Sequence, residues 1–327
     1  MGIRNLNRYL RNNCPESIRC IPISDISHKK IAVDISIYLY KYESENALLE
    51  NMFMMLSIFR HYNIIPIFIF DGKPPDEKKM LLQKRKEDKK TAQKEYYKLQ
   101  QSLQEVTSLQ NDKQDNKKEI IAKMDQLKRQ FVQINKEKIE KVKSLIRAYG
   151  ATYYDAPGEA DELCALLVIK KKVWACLSED MDLFVYGCSR VLRYFSLVSH
   201  TVVLYFSKGI YNELNMTYKD FKEICILSGT DYNINTNNKV HLNVTIGHFN
   251  NFKKSKNSDN TTFYDWLQVN TDYISDIHLL NKINNMFSLD CNNEKLDNIF
   301  NNIKIANGPI KQQEIENIMK SEDFIFL

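Results

Sequence analysis

Three observations predict an α/β fold with a mostly parallel central sheet flanked by helices. An apolar strand at Ile31–Asp34 ends on an acid and passes straight into a helix at Ile35–Tyr42. A second strand, Ile64–Phe70, is again followed by an acid, Asp71, and a third, Val173–Leu177, is followed by Asp180 and Asp182. Between them, from Asp76 to Tyr149, glycine and proline vanish and the apolar spacing becomes helical. Carboxylates repeatedly placed at strand C-terminal ends are expected of a parallel sheet covered on both faces, whose ligands gather at those ends.

Taken in order, Met1–Asn13 reads as a short helix with Ile3, Leu6 and Leu10 on one face and Arg4, Arg8 and Arg11 elsewhere. A very apolar helix is expected at Asn46–Tyr62. In the 76–149 stretch, Leu99, Leu103, Val106 and Leu109 form one seam and Ile120, Met124, Leu127, Phe131 and Ile134 another. Ile139, Val142 and Ile146 resume the spacing after a shift. With the polar turn-like run Asn111–Asn116 between the two seams, this predicts a helical hairpin whose arms reach about 50 Å each at 1.5 Å per residue. Its base, Lys78–Lys90, is the most basic run in the chain. Further strands are expected at Val191–Phe195 and Thr201–Phe206, then a helix at Tyr218–Ser228 ending at Gly229. Beyond Asn233 the chain is rich in Asn, Lys and Ile and reads as a smaller helical region. Two parts follow: residues 1–232, with the 76–149 insertion, and residues 233–327.

The stretch from Pro157 to Asp182 concentrates the chemistry. Glu159 and Asp161 open one helix, after the turn and start signals of Pro157-Gly158, and Asp180 and Asp182 follow the next strand. Acids at a helix start can simply complement its dipole. Two such pairs on consecutive elements would instead repel one another strongly unless cations shared the site. All-oxygen donors suit a hard ion such as Mg²⁺ or Mn²⁺.

Composition narrows the class. The 327 residues are 43% hydrophobic and 11% aromatic, as in a soluble globular protein, with no apolar run long enough to cross a bilayer. Seven scattered cysteines without a C-x-x-C pair support neither a disulfide framework nor a zinc site, and suggest a reducing compartment. The six histidines form no cluster of ligand spacing. A net charge of +5 is mild, but the positive charge is concentrated in the hairpin while the acids cluster elsewhere.

Six ordered blocks resemble the flap endonuclease/XPG family of structure-specific 5′ nucleases. They are MGI-x-x-L at the N-terminus, VDIS-x-x-x-Y from Val33 to Tyr40, FIFDGKPP at Phe68–Pro75, APGEADELCA at Ala156–Ala165, SEDMDLFVYG at Ser178–Gly187 and CILSGTDY at Cys225–Tyr232. The resemblance covers roughly residues 1–232. It implies a PIN-like 5′ nuclease fold in which the 76–149 hairpin is an arch over the active site. It also implies two Mg²⁺ or Mn²⁺ ions, with Asp34, Asp71, Glu159 and Asp161 forming one metal subsite and Asp180, Asp182 and Asp231 the other. Phosphodiester hydrolysis needs stabilisation of both an entering and a departing oxygen, which a metal pair about 4 Å apart supplies. Lys78 and Arg85 match the family residues that contact the scissile phosphate. Tyr40 would stack on a terminal base, Gly2 would let the N-terminus approach the substrate, and Lys84, Lys253, Lys254 and Lys256 would meet phosphates.

The implied partner is branched or flapped DNA, bound by a monomer without a membrane. The nucleus is the implied compartment, with a cytoplasmic replication site, such as that of a large DNA virus, as the alternative. Asn5 stands where many relatives carry glycine. After Asp231 an asparagine-rich lead-in replaces the family's G-[IV]-G turn, which puts its duplex grip and potassium site in doubt. The C-terminal KSEDFIFL lacks the sliding-clamp pattern. Two other readings remain: a junction-resolving relative, and a DNA-binding scaffold of the same fold without catalysis.

Overall fold

The structure, a computed structural model, describes residues 2–108, 114–233, 241–255, 261–289, 294–320 and 324. Its first part runs through α1 (Leu6–Asn13), β1 (Ile18–Pro22), β2 (Lys30–Asp34), α2 (Ile35–Ser44), α3 (Leu48–His61) and β3 (Ile65–Phe70). The long helices α4 (Lys79–Ser108), α5 (Gln114–Gln130) and α6 (Lys136–Ala148) come next. They lead to β4 (Thr152–Asp155), α7 (Ala160–Ile169), β5 (Ala175–Leu177), α8 (Asp182–Tyr186), β6 (Arg190–Ser196) and β7 (Thr201–Phe206). The remainder is helical: α9 (Ser207–Glu213), α10 (Tyr218–Ser228), α11 (Leu242–Lys254), α12 (Phe263–Asn270), α13 (Ile277–Met286), α14 (Glu294–Asn302) and α15 (Gln312–Lys320).

Among the described residues, seven strands make one sheet in the order β1-β7-β6-β5-β2-β3-β4. The pairings from β4 across to β6 are parallel, and only the β6–β7 and β7–β1 pairings are antiparallel. The expected mostly parallel sheet is present. β1 and β4 go beyond the sequence-based reading: both lie at sheet edges, and their half-exposed residues give no continuous apolar run. Pro22 suits such an edge, where no ladder hydrogen bond is lost.

Both faces of the sheet are covered, and the pleat decides which residue faces which layer. Ala32, Ile67, Ile69, Cys176 and Val191 join the core beneath α1, α7, α8 and α10. Ile31, Val33, Phe68, Phe70, Leu177 and Leu192 join the opposite core beneath α2, α3 and α6. The central strands β2, β3 and β5 read as apolar runs because neither of their faces meets water.

The 76–149 stretch differs from the expected hairpin. α4 and α5 lie side by side, with Ala92 and Leu127 buried, the Tyr96 and Phe131 rings 5.4 Å apart and Lys123 paired to Glu95 at 2.9 Å. The third apolar series belongs instead to α6, whose Val142, Leu145 and Ile146 are buried in the body of the protein. The shift in spacing marks the break: Asn135 caps α6 by accepting the Lys138 N–H at 2.8 Å. At 30 and 17 residues, the arms are about 45 and 25 Å long, not 50 Å each. The turn read at Asn111–Asn116 and the seam position Leu109 fall partly or wholly outside the described residues.

The C-terminal helices pack back onto this body. α10 carries α11, α12 and α13, while α14 touches α7 and α15 touches α6. Ahead of α15, the Gly308 N–H donates to Gly150 O at 2.7 Å and Lys311 N–H to Ala148 O at 2.8 Å. Gly150 has φ +69°, and a Cβ there would lie 2.5 Å from Gly308 O, so both its backbone and its neighbour require glycine. Among the described residues no helix is long and apolar enough to cross a membrane.

Candidate active site

The chain moves across the sheet in one direction from β2 through β3 to β4, and in the other from β5 to β6. A crevice at such a reversal, outside the strand C-termini, is where open α/β sheets take ligands. A cleft of about 730 Å³ lies there. Asp34, Asp71, Glu159, Asp161, Asp180 and Asp231 line it, together with Tyr40, Lys78 and Arg85. Six of the seven predicted acids thus come from distant parts of the chain to one cavity.

Local chemistry sets each of them. Asp34 ends β2 and caps α2, accepting the Ser36 N–H at 3.3 Å and the Ser178 hydroxyl at 2.8 Å. Asp71 follows β3 and accepts the N–H of Ala160, the first residue of α7, at 2.8 Å. Glu159 holds the N-cap position of α7 with one oxygen on Lys78 Nζ at 2.7 Å, while the other accepts the Tyr232 hydroxyl at 2.7 Å. Asp180 accepts the Asp182 N–H at 3.0 Å. Asp231 sits in a turn locked by Asn233, which accepts the Thr230 N–H and donates to Ile226 O, both at 2.8 Å. Gly229, at φ +108°, starts that turn.

Asp182 differs from the other six. It lies behind the cleft wall, with 0% of its surface exposed, and neither carboxylate oxygen has a hydrogen-bond partner in the protein. Burial, then Asp180 and Asp231, push its carboxyl well above the ordinary range. Burial, then Glu159 and Asp180, do the same to Asp161. Asp34 is pushed up to about 7 by burial and then by Asp71. A set of acids that cannot all ionise unaided calls for a compensating cation.

Lys78 supplies one such charge. It is 5% exposed, 3.6 Å from Asp231 as well as bonded to Glu159, and its ammonium stands 4.9 Å from the Tyr232 ring centroid. Burial opposes its charge, but Asp161, Glu159 and Asp182 outweigh that and hold its pKa above the usual lysine value. Arg85, about two helical turns further along the same face, donates to Asp231 at 2.9 Å. Among the described residues no three acidic, histidine or cysteine side chains are spaced to grip a metal ion as they stand. The donor set nevertheless fits a hard divalent cation: it is all oxygen, mutually repelling, and includes a buried carboxylate without a partner.

The other predicted residues divide. Gly2, at φ +74°, packs against the acids, and a Cβ there would collide with Asp182 and lie 2.7 Å from Asp180 Oδ1. Asn5 has φ 66°, a left-handed conformation that asparagine adopts more readily than most residues with a side chain, so it can stand where relatives carry glycine. Tyr40 is 48% exposed in the cleft, with Lys89 Nζ 5.1 Å from its ring centroid. Lys84 is exposed but does not line the cleft; on a helix the face shared with Lys78 and Arg85 continues to Lys89, not to Lys84. Lys253 and Lys254 end α11 and do not line the cleft either, and Lys253 sits 3.7 Å from Asp220. Lys256, the asparagine-rich lead-in after Asn233 and most of the C-terminal KSEDFIFL lie outside the described residues.

Ser36, Lys86, Lys89 and Arg129 also line the cleft, while Ser178 and Tyr232 brace its acids. Helical spacing from Lys78 would have found Lys89. Nothing in the local sequence marks Arg129, which reaches the cleft only because α5 returns along α4.

Residues 1–92 match the XPG N-terminal domain and residues 150–231 the XPG I-region. A probable RAD2-like endonuclease of Invertebrate iridescent virus 6 is 31% identical over 282 residues, 72% of this chain and 68% of that protein. Flap endonuclease 1 of Glossina morsitans morsitans is 32% identical over 250 residues, 71% of this chain. The match spans 61% of that relative's own length, less than two thirds. Two solved structures share the fold. The catalytic core of Rad2 in complex with DNA substrate has a TM-score of 0.64 at 19% identity, over 98% of this chain and 94% of that one. Human GEN1 in complex with Holliday junction DNA has a TM-score of 0.58 at 18% identity, over 99% and 74%. The chain belongs to the flap endonuclease/XPG family of structure-specific 5′ nucleases.

Proposed function

We propose that this chain hydrolyses DNA phosphodiester bonds at branched or 5′-ended structures, using two divalent cations, Mg²⁺ or Mn²⁺. The observation that carries the reading is the convergence of six carboxylates in one cleft under a basic helix, with the seventh, Asp182, buried beside them without a partner. Asp34, Asp71, Glu159 and Asp161 would hold one ion, and Asp180, Asp182 and Asp231 the other. Two divalent ions held by these residues would supply charge stabilisation to the entering and departing oxygens of phosphodiester hydrolysis.

The chain's own groups do the rest. Lys78 and Arg85 already stand among the acids and present positive charge to the scissile phosphate, offsetting the charge that develops on its oxygens. Tyr40, half exposed in the cleft, offers a ring to a terminal base, an interaction worth about 1–3 kcal/mol in single-strand binders. Lys86, Lys89 and Arg129 draw the phosphate backbone into the cleft. A role in replication, repair or recombination follows from that substrate, in the nucleus or at a cytoplasmic replication site.

Purified protein offered a 5′-flap, a nicked duplex and a four-way junction, with Mg²⁺ or with EDTA, tests this. Cleavage of the flap that needs Mg²⁺ is expected. Cleavage confined to the four-way junction would make the chain a junction-resolving enzyme. No cleavage of any of the three would leave a DNA-binding scaffold.

A further inference from the structure

One buried cation has no part in the chemistry above. Arg193, on β6, is 5% exposed. Its Nη1 donates to Asn7 Oδ1 at 2.6 Å, and its Nη2 donates to the backbone oxygen of Glu179 at 2.9 Å and lies 3.3 Å from Glu179 Oε2. The Tyr205 hydroxyl donates to the same Asn7 oxygen, and Asn7 Nδ2 donates to the Tyr194 hydroxyl, both at 2.7 Å. Four elements meet around one guanidinium: the loop after β5, β6 and β7, close to one another in sequence, and α1, whose Asn7 lies 186 positions away.

The backbone is bent at this point. The β6–β7 register shifts between Arg193 and Ser196, and Tyr194 takes φ +56°, rare for a bulky residue. Its N–H donates to Glu179 Oε1 at 2.5 Å. A bulge that re-aims a donor beside a reactive loop is a constraint imposed by the rest of the fold.

The two ends of this network meet at the same pair of carboxylates. Glu179 stands between Ser178, which donates to Asp34, and Asp180. Asn7 lies in the first turn of α1, five residues after Gly2, whose backbone packs against Asp180 and Asp182. We propose that Arg193 is a positioning residue for the nuclease reaction: through Asn7 and Glu179 it fixes the N-terminal segment against the 178–182 loop, so that Gly2, Asp180 and Asp182 keep one relative placement. The inference rests on the nuclease reading of the cleft. Arginine is required because its planar fork spans two acceptors at once, whereas a lysine ammonium is a single point of charge. Arg193 itself does not line the cleft and acts only through its partners.

The full chain carrying Arg193→Met, Arg193→Lys, Gly2→Ala, or Arg193→Lys with Gly2→Ala tests this on a 5′-flap with Mg²⁺. R193M should lower kcat about 10²-fold, the scale for a 1 Å misplacement at a reacting centre, with KM within about twofold. R193K, which keeps the buried charge and protects against a folding failure, should recover part of that loss. The double variant should lose less than the product of the two single losses, since both disturb one placement. Calorimetric Mn²⁺ binding without DNA should weaken in R193M and recover partly in R193K. Wild-type kcat in R193M, strictly multiplicative losses in the double variant, or unchanged Mn²⁺ affinity would each overturn the proposal. If the unaltered chain cleaves no DNA, the nuclease reading falls separately, and Mn²⁺ affinity alone decides the role of Arg193.

Discussion

The acid floor of the cleft and the helical arm above it are both strongly charged, yet they are built in opposite ways. Each floor carboxylate leaves the backbone at a strand end, a helix start or a locked turn, and most accept a fixed donor from the protein. The arm carries its charge on long side chains: Lys86 and Arg129 are exposed and Lys89 half-buried, on helices that meet the body mainly at their base. Lys78 and Arg85 belong to the arm by sequence and to the floor by contact. The difference teaches where precision is needed. On the proposed reading, ligands for a metal pair must be held to fractions of an ångström, whereas a charge funnel acts through field strength and tolerates displacement.

The largest effect should come from the floor. Asp180→Ala is expected to abolish cleavage, by at least about 10²–10³-fold, while leaving DNA binding largely intact. A single-turnover assay beside a binding titration checks this, and retained cleavage would contradict the metal assignment. The arm should respond differently. Replacing Lys86, Lys89 and Arg129 together by alanine should weaken flap binding and flatten the plot of log affinity against log salt by about 2–3, roughly one for each phosphate that is no longer neutralised. Its kcat at saturating DNA and low salt should stay near that of the unaltered chain. A collapse of kcat would show that these cations belong with the floor.

The smallest effect isolates burial alone. Glu223, on α10 away from the cleft, is pushed up to about 7, first by burial, with Lys219 opposing. The folded state therefore holds a proton that the unfolded chain releases near its ordinary value of 4.5, so stability should fall as pH rises from about 4.5 through about 7. Glu223→Gln should remove that fall, raising stability at pH 8 by about 1–3 kcal/mol and changing little at pH 4.5. Thermal unfolding at the two pH values measures it. An equal shift at both would mean that packing, not ionisation, decides the site.

Much of this molecule was legible in one dimension. Strands β2 and β3 announced themselves as apolar runs ending on Asp34 or followed by Asp71, because a strand buried on both faces cannot carry polar residues. The paired acids before α7 and after β5 stood out because repulsion makes such spacing costly without a ligand. The base of the arm, with Lys78 and Arg85, was visible as charge without glycine or proline. Short edge strands such as β1 and β4 were not, since half-exposed residues leave no periodic signal. The departure of α6 from the hairpin was visible only as a shift in spacing, whose meaning depended on what Val142 and Ile146 would meet.

By itself, then, the sequence determined which elements form and which acids end them, since periodicity, turn residues and charge act over a few positions. Tertiary structure alone decided that Lys89 rather than Lys84 faces the cleft, that Arg129 returns to it, and that Asp182 is sealed behind its wall. It also decided that Arg193 would find Asn7 from 186 positions away. Such pairings depend on how whole layers pack, and no local pattern encodes the partner across that distance.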